Sequence, residues 1–333
     1  MADIGILGAG TWGIALARML CINNNNVTVW SAISDEITNL SEKRTHPNLP
    51  GMKIPESIAF TESMSVACGK KDLIIFAVPS VFIRSTAEKA KDYIQKDQII
   101  VCVAKGIETE SLMTMSEVIG SVIKNDNIVA LSGPTHAEEV SVDLPTAIVA
   151  ASENIRASER VQDIFMNRVF RVYTNSDIKG VEISGALKNV IALAAGISEG
   201  LGYGDNAKAA LITRGIAEIS RLGIALGCKS DTFYGLAGIG DLIVTCTSRH
   251  SRNNRAGELI GQGLSKDEAI KQVGMVVEGI YAIDAAIKLS EKLDVELPII
   301  EGVDRIINKG QDPREAVDSL MMRDKKDEMH YSR

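Results

Sequence analysis

The chain has 333 residues, 45% of them apolar and 24% charged, the composition of an ordinary globular protein long enough to bury two cores. Its net charge of −7 supplies no basic field to gather a nucleic acid, so neither DNA nor RNA is expected as a partner. The five cysteines, Cys21, Cys68, Cys102, Cys228 and Cys246, are odd in number and never in C-x-x-C spacing, which argues for a reducing compartment and against a disulfide framework or zinc cluster.

Met1-Ala2-Asp3 runs straight into an apolar strand, without a basic leader or a cleavable apolar segment. The longest apolar run, around Val190 to Gly196, is too short to cross a bilayer. A cytoplasmic protein without membrane insertion is therefore expected. Through the first half, short β-branched runs alternate with helical patterns: Ile4 to Leu7, Val27 to Trp30, Leu73 to Val78, Ile99 to Val103, Ile128 to Leu131 and Ala147 to Val149. Continuous apolar strands separated by helices predict a parallel sheet covered on both faces, a doubly wound α/β domain of Rossmann type. After about Val181 helical periodicity takes over, with Ile212, Ile216, Ile219, Leu222 and Leu226 three or four apart. Ser265 with Glu268 forms a capping box, and Asp312-Pro313-Arg314-Glu315 reads as a cap, a first-turn proline and a third-position glutamate. The predicted organisation is a doubly wound domain over 1–181 and a mostly α-helical domain over 182–333, with a charged tail, Arg323 to Arg333, that frays.

The first strand is followed at once by Gly8-Ala9-Gly10-Thr11-Trp12-Gly13. A helix starting there points unpaired N–H groups and the positive end of its dipole into the crevice, where a pyrophosphate satisfies both. Gly8 allows the tight turn, Gly10 the approach of phosphates and Gly13 the packing of helix on strand. The second strand ends Val29-Trp30-Ser31-Ala32, where an NAD site commonly carries an acid for the ribose 2′-hydroxyl. Ser31 supplies no such acid and no arginine stands at 31 or 32, so NAD and NADP both remain open.

Three more segments follow apolar strands: Val78-Pro79-Ser80, Ala104-Lys105-Gly106 and Ser132-Gly133-Pro134-Thr135-His136-Ala137. In an open parallel sheet these ends share the edge at which ligands bind. Lys105 reads as a donor to an anionic or carbonyl-bearing substrate or as a solvated lysine. Gly133 and Thr135 flank a helix entry and offer backbone and hydroxyl donors. In Gly185-Ala186-Leu187-Lys188-Asn189-Val190 a lysine stands on an apolar helix. Burial would lower its pKa and suit it to proton transfer; the alternative is a stem that packs while the charge reaches water. Asp241, in a glycine-rich apolar stretch, is either a buried carboxylate needing a partner or a turn aspartate. The donors of Arg249-His250-Ser251-Arg252-Asn253-Asn254-Arg255 fit a phosphate, or form a solvated basic loop. His46, His136, His250 and His330 have neither metal-ligand spacing nor a nucleophile beside them, so no metal and no triad is assigned.

Together these segments resemble the bacterial-type NAD(P)-dependent glycerol-3-phosphate dehydrogenases. The likeness covers nearly the whole chain in order: GAGTWG, VPS, AKG, SGPTHAEE, FRVYTN, GALKNVIALAAGISEGLGYG, TRGIAEISRLG, GLAGIGDLIVTCTS, SRN and VVEG. The resemblance implies a catalytic lysine at Lys188 oriented or tuned by Asp241. It implies substrate contacts at Lys105, Gly133, Thr135, Lys188, Asp241, Ser251, Arg252 and Asn253. Dinucleotide contacts fall on Gly8, Gly10, Thr11, Trp12, Gly13, Ser31, Lys105, Ala137, Arg252, Val276 and Glu278. It further implies glycerol 3-phosphate and dihydroxyacetone phosphate as substrates, supply of glycerol 3-phosphate for phospholipid synthesis, and a homodimer. Ser31 and Ala32 depart from members with a basic residue in that region. Two rivals are another lysine-dependent dehydrogenase, of β-hydroxyacid or ketopantoate type, and a non-catalytic dinucleotide-responsive regulator.

Overall fold

The structure, a computed structural model, describes residues 1–325, 327 and 328. The tail expected to fray lies partly outside the described residues, as does His330. Among the described residues eight strands form one sheet: β1 (Asp3–Leu7), β2 (Asn26–Trp30), β3 (Ala59–Thr61), β4 (Leu73–Phe76), β5 (Ile99–Cys102), β6 (Ile128–Ser132), β7 (Thr146–Ala151) and β8 (Phe170–Asn175). Their spatial order is β3-β2-β1-β4-β5-β6-β7-β8. The order reverses between β1 and β4, which opens a crevice at the carboxyl ends of the strands. Successive residues point to opposite faces of a strand. Accordingly Leu73 and Ile75 enter one apolar layer with Ile4, Ile6 and Ile14, whereas Ile74 and Phe76 enter the other with Ile100, Ile83 and Ile119.

The sheet departs from the expected parallel arrangement on one side. β7 pairs with β6 antiparallel, and β8 runs parallel to β7. Between β6 and β7 the only helix is the single turn Ala137–Val140, too little to carry a parallel crossover back across the sheet. β8 is also a strand that the apolar runs do not announce, because Arg171 and Tyr173 are exposed between buried Phe170 and Val172. It covers the sheet edge with one apolar face only.

Beyond β8 the described chain is helical. The helix Ile178–Gly200 is buried over every residue from Gly180 to Ser198. By length and hydropathy it is long enough to cross a membrane, but its apolar window is wholly covered by protein. Asp177 caps it, accepting from Gly180 N at 3.0 Å, and also accepts from Lys229 N and Thr232 Oγ1. The helix Arg252–Gly261 crosses it at backbone contact. A Cβ on Gly196 would lie 2.0 Å from the Asn254 carbonyl oxygen, one on Gly257 2.2 Å from that of Leu193, and one on Gly261 2.3 Å from that of Ile197. The caps at Ser265 and Asp312 form as the sequence predicts.

This crossing yields a stability prediction. Gly257→Ala must push the two helices apart, and overpacking of this kind costs about 1–3 kcal/mol. Thermal or denaturant unfolding should show that loss; an unchanged midpoint would contradict the close crossing.

Candidate functional site

The glycines of the first turn divide by what they meet. Gly8 has φ +121°, and a Cβ there would stand 2.7 Å from the Ala77 carbonyl oxygen. A Cβ on Gly13 would stand 2.2 Å from the carbonyl oxygen of Gly8. The protein itself therefore requires both glycines. Gly10 has φ −68° and ψ 175°, open to any residue, and a Cβ there would meet nothing within 4 Å. What its missing side chain leaves free is the crevice at the start of the helix Thr11–Ile22, a cradle that fits a pyrophosphate. Thr11 and Trp12 open that helix, both half-buried. The resemblance brings further segments to this place: Ala137 is buried at the start of its single-turn helix, and Val276 and Glu278 are half-buried where the helix Glu278–Leu293 begins. The Glu278 carboxylate accepts from Ser80 N at 3.1 Å and from Ser80 Oγ. Burial pushes this carboxyl above its usual value, against the pull of Ser80 and the nearby Arg252 guanidinium.

Deeper in the crevice, two lysines share one carboxylate. Lys188 Nζ donates to Asp241 Oδ1 at 2.6 Å and Lys105 Nζ to Asp241 Oδ2 at 2.6 Å. The Asp241 side chain is 1% exposed and that of Lys188 7%, so the aspartate is the buried, partnered carboxylate and not a turn residue. Lys188 does not snorkel. Its Nζ also donates to Thr245 Oγ1 at 2.5 Å, and that hydroxyl donates to the Asp241 carbonyl at 2.6 Å. Burial pulls Lys188 down to about 8; Asp241 opposes the fall and the Lys105 charge adds to it. Gly185 admits the second lysine, since a Cβ there would lie 3.1 Å from Ser132 Oγ and 3.4 Å from Lys105 Cγ.

The loop after β6 differs in detail from its reading in the sequence. Its helix begins at Ala137 with His136 as the cap, not next to Pro134. Gly133 presents its carbonyl inward, accepting from Lys105 Nζ at 3.2 Å and from Thr135 Oγ1 at 3.1 Å. The His136 ring sits 5.7 Å from that of His250, so this loop reaches the one bearing Ser251-Arg252-Asn253. There Ser251 Oγ caps the helix Arg252–Gly261 by accepting from Asn254 N at 3.2 Å. Arg252 donates no hydrogen bond to the described residues. The Asn253 side chain is a strut, donating to Asn189 Oδ1 at 2.9 Å and accepting from Gly279 N at 2.9 Å. What remains for an anion is its backbone N–H, in the unpaired first turn of the helix.

Sequence reading passed over Thr245, although its place four residues after Asp241 puts both on one helix face. It also passed over the Ser80–Glu278 link, which joins positions 198 apart and has no local signal.

A Rossmann sheet with a glycine cradle, joined to a helical domain that adds a buried lysine, defines the two-domain class of nicotinamide-dinucleotide dehydrogenases. Residues 3–158 match the family model for the NAD-dependent glycerol-3-phosphate dehydrogenase N-terminus, and residues 177–318 that for its C-terminus. Glycerol-3-phosphate dehydrogenase [NAD(P)+] 2 of Lactobacillus delbrueckii subsp. bulgaricus is 60% identical, over 99% of both chains. The crystal structure of glycerol-3-phosphate dehydrogenase from Coxiella burnetii superposes with a TM-score of 0.93 at 37% identity, over 97% of this chain and 99% of that one. A ketopantoate reductase from Ralstonia eutropha reaches a TM-score of 0.62 at 16% identity, over 96% of this chain and 99% of that one, a likeness of fold alone. The chain belongs to the NAD-dependent glycerol-3-phosphate dehydrogenase family.

The division among the glycines predicts opposite behaviour for two substitutions. Gly13→Ala should cost stability by about 1–3 kcal/mol. Gly10→Ala should leave the unfolding midpoint in place and weaken NADH binding, read by fluorescence titration. Unweakened binding in the Gly10 variant would remove the cradle from Gly10.

Proposed function

We propose that the protein catalyses reversible hydride transfer between sn-glycerol 3-phosphate and dihydroxyacetone phosphate. The observation that carries the reading is Lys188, buried and bound to Asp241 at 2.6 Å in the crevice that the glycine turn opens onto. NAD or NADP supplies or takes the hydride when bound. Lys188 Nζ gives its proton to the C2 carbonyl oxygen in reduction and, as the neutral amine, takes the hydroxyl proton in oxidation. Asp241 aims the ammonium and keeps it from losing its proton too readily. Two ammonium groups on one carboxylate leave a net positive charge, which favours the oxygen as it becomes anionic.

Arg252, the Ser251 hydroxyl and the first turn of the helix Arg252–Gly261 meet the phosphate, while the Gly133 carbonyl, accepting from Thr135 Oγ1, helps to hold Lys105. The binding energy of these phosphate contacts, remote from C2, fixes the reacting geometry. In this reading 1–181 hold the dinucleotide and 182–333 complete the substrate site. It also carries a cytoplasmic setting, supply of glycerol 3-phosphate for phospholipid synthesis, and a homodimer. A ketopantoate-type activity is not favoured, because the likeness to a ketopantoate reductase, at 16% identity, is one of fold alone. A regulator without turnover would have no use for the buried lysine.

Removal of the proton donor should cost at least about 100-fold in kcat, so Lys188→Ala is expected to lose turnover while NADH binding stays within a few-fold. Because Lys188 sits at about 8, dihydroxyacetone phosphate reduction should fall as pH rises past that value, and glycerol 3-phosphate oxidation should rise. Profiles that move together, or near-native turnover in the variant, would contradict the assignment. Arg252→Ala should raise KM for dihydroxyacetone phosphate by about tenfold or more, as for loss of a charged hydrogen bond; an unchanged KM would remove the phosphate role.

A further inference from the structure

The sequence at the end of β2 leaves the coenzyme open because residue 31 is a serine. In the fold that serine does not stand alone. Ser31 is 5% exposed, and its Oγ donates to Glu36 Oε2 at 2.5 Å while accepting from Ile33 N at 3.2 Å. Glu36 lies in the first turn of the helix Ser34–Lys43. The chain thus returns a carboxylate, five residues late, to the strand end where a ribose-binding acid stands in NAD sites.

The strand end that holds this carboxylate meets the glycine turn directly. Gly8 N, in the turn itself, donates to the Trp30 carbonyl at 2.9 Å, and Ser31, which anchors the half-buried Glu36, is the next residue. Asn48 contacts Thr11 Oγ1 at 3.4 Å.

The other charges nearby suit a hydroxyl and oppose a phosphate. Glu62, just past β3, brings a second carboxylate, which accepts from Ser34 Oγ at 2.6 Å. The two cations at the end of the helix Ser34–Lys43 have partners of their own. Arg44 donates to the carbonyls of Pro55 and Ile58 and pairs with Glu56, and Lys43 donates to Asn39 Oδ1.

We infer that Glu36, held in place by Ser31, selects NAD over NADP in this enzyme, accepting a hydrogen bond from the adenosine ribose and repelling a 2′-phosphate. The inference rests on the dinucleotide reading of the glycine turn and is independent of which substrate is reduced. A dianionic 2′-phosphate brought beside Glu36 and Glu62 meets like charge, whereas a 2′-hydroxyl finds an acceptor already fixed. Ser31 acts as a positioning residue: its hydroxyl restrains the carboxylate and does not itself need to touch the coenzyme.

The test is binding without substrate. Dissociation constants for NADH and NADPH are measured by fluorescence titration on the full-length wild type, Glu36→Gln and Ser31→Ala. Wild type should bind NADH at least tenfold more tightly than NADPH. Glu36→Gln should shrink that ratio at least fivefold, by weakening NADH and easing NADPH. Ser31→Ala, which keeps the carboxylate but frees it, should shrink it less. Damage to the fold lowers both affinities together and leaves the ratio unchanged, so the ratio isolates selection. Equal or tighter NADPH binding by wild type overturns the inference, as does a Glu36→Gln ratio equal to that of wild type when its unfolding midpoint is native. If neither dinucleotide binds to wild type, the dinucleotide reading fails with it.

Discussion

The carboxylate of Asp241 holds two lysines that arrive from different parts of the fold, Lys105 from the end of β5 and Lys188 from the middle of the helix Ile178–Gly200. Almost out of reach of water, it is costly to bury unless it is paired, and leaving such a pair half made costs about 3–5 kcal/mol. The sheet edge, the buried helix and the glycine-rich turn before Asp241 must therefore meet in one geometry. Gly238, at φ −92° and ψ −105°, breaks the helical path just ahead of Asp241, and a Cβ there would collide with the Phe233 carbonyl oxygen at 2.1 Å. The chain accepts an irregular turn to deliver one charged group.

The same junction is tied at two further points. Ser80, after β4, donates to Glu278, which opens the helix Glu278–Leu293. Ser116, in the first turn of the helix Met115–Ile123, donates through its N–H at 2.8 Å and its hydroxyl to the buried carboxylate of Glu182. Burial pushes Glu182 up to about 7. Each tie sets a carboxylate from the helical half against a donor on the sheet half, so the crevice has a defined width before anything enters it. Preorganisation of this kind lets fixed charges act on a reacting oxygen without reorganising first.

How much of this was legible follows from which signals are local. Apolar strands such as Ile4 to Leu7 and Ile99 to Val103 need both faces covered, so their runs announced the sheet. The glycine turn was legible because its spacing follows a strand and opens a helix. β8 was missed because alternation of Phe170, Arg171, Val172 and Tyr173 belongs to a one-sided edge strand, and the reversal at β7 was missed because strand direction depends on the whole connection. Lys188 was visible as a charge in an apolar run, but whether it snorkels depends on Asp241, 53 residues away. Ser31 read as the loss of an acid only because Glu36 lies beyond the strand and returns through a helix turn. Asn253 read as a phosphate contact because it stands in SRN, while its side chain serves three helices.

Burial lowers the proton affinity of Lys188, and the Asp241 carboxylate limits that fall. Asp241→Asn keeps the size of the side chain and removes its charge, and the pH dependence of kcat for dihydroxyacetone phosphate reduction then reads the lysine directly. Without the anion that holds its proton, and with Lys105 still beside it, Lys188 should titrate lower. The falling limb of the profile should then move to a pH below the wild-type value of about 8. A limb that stays where it is in the wild type, in a variant that still binds NADH and turns over, would contradict the account.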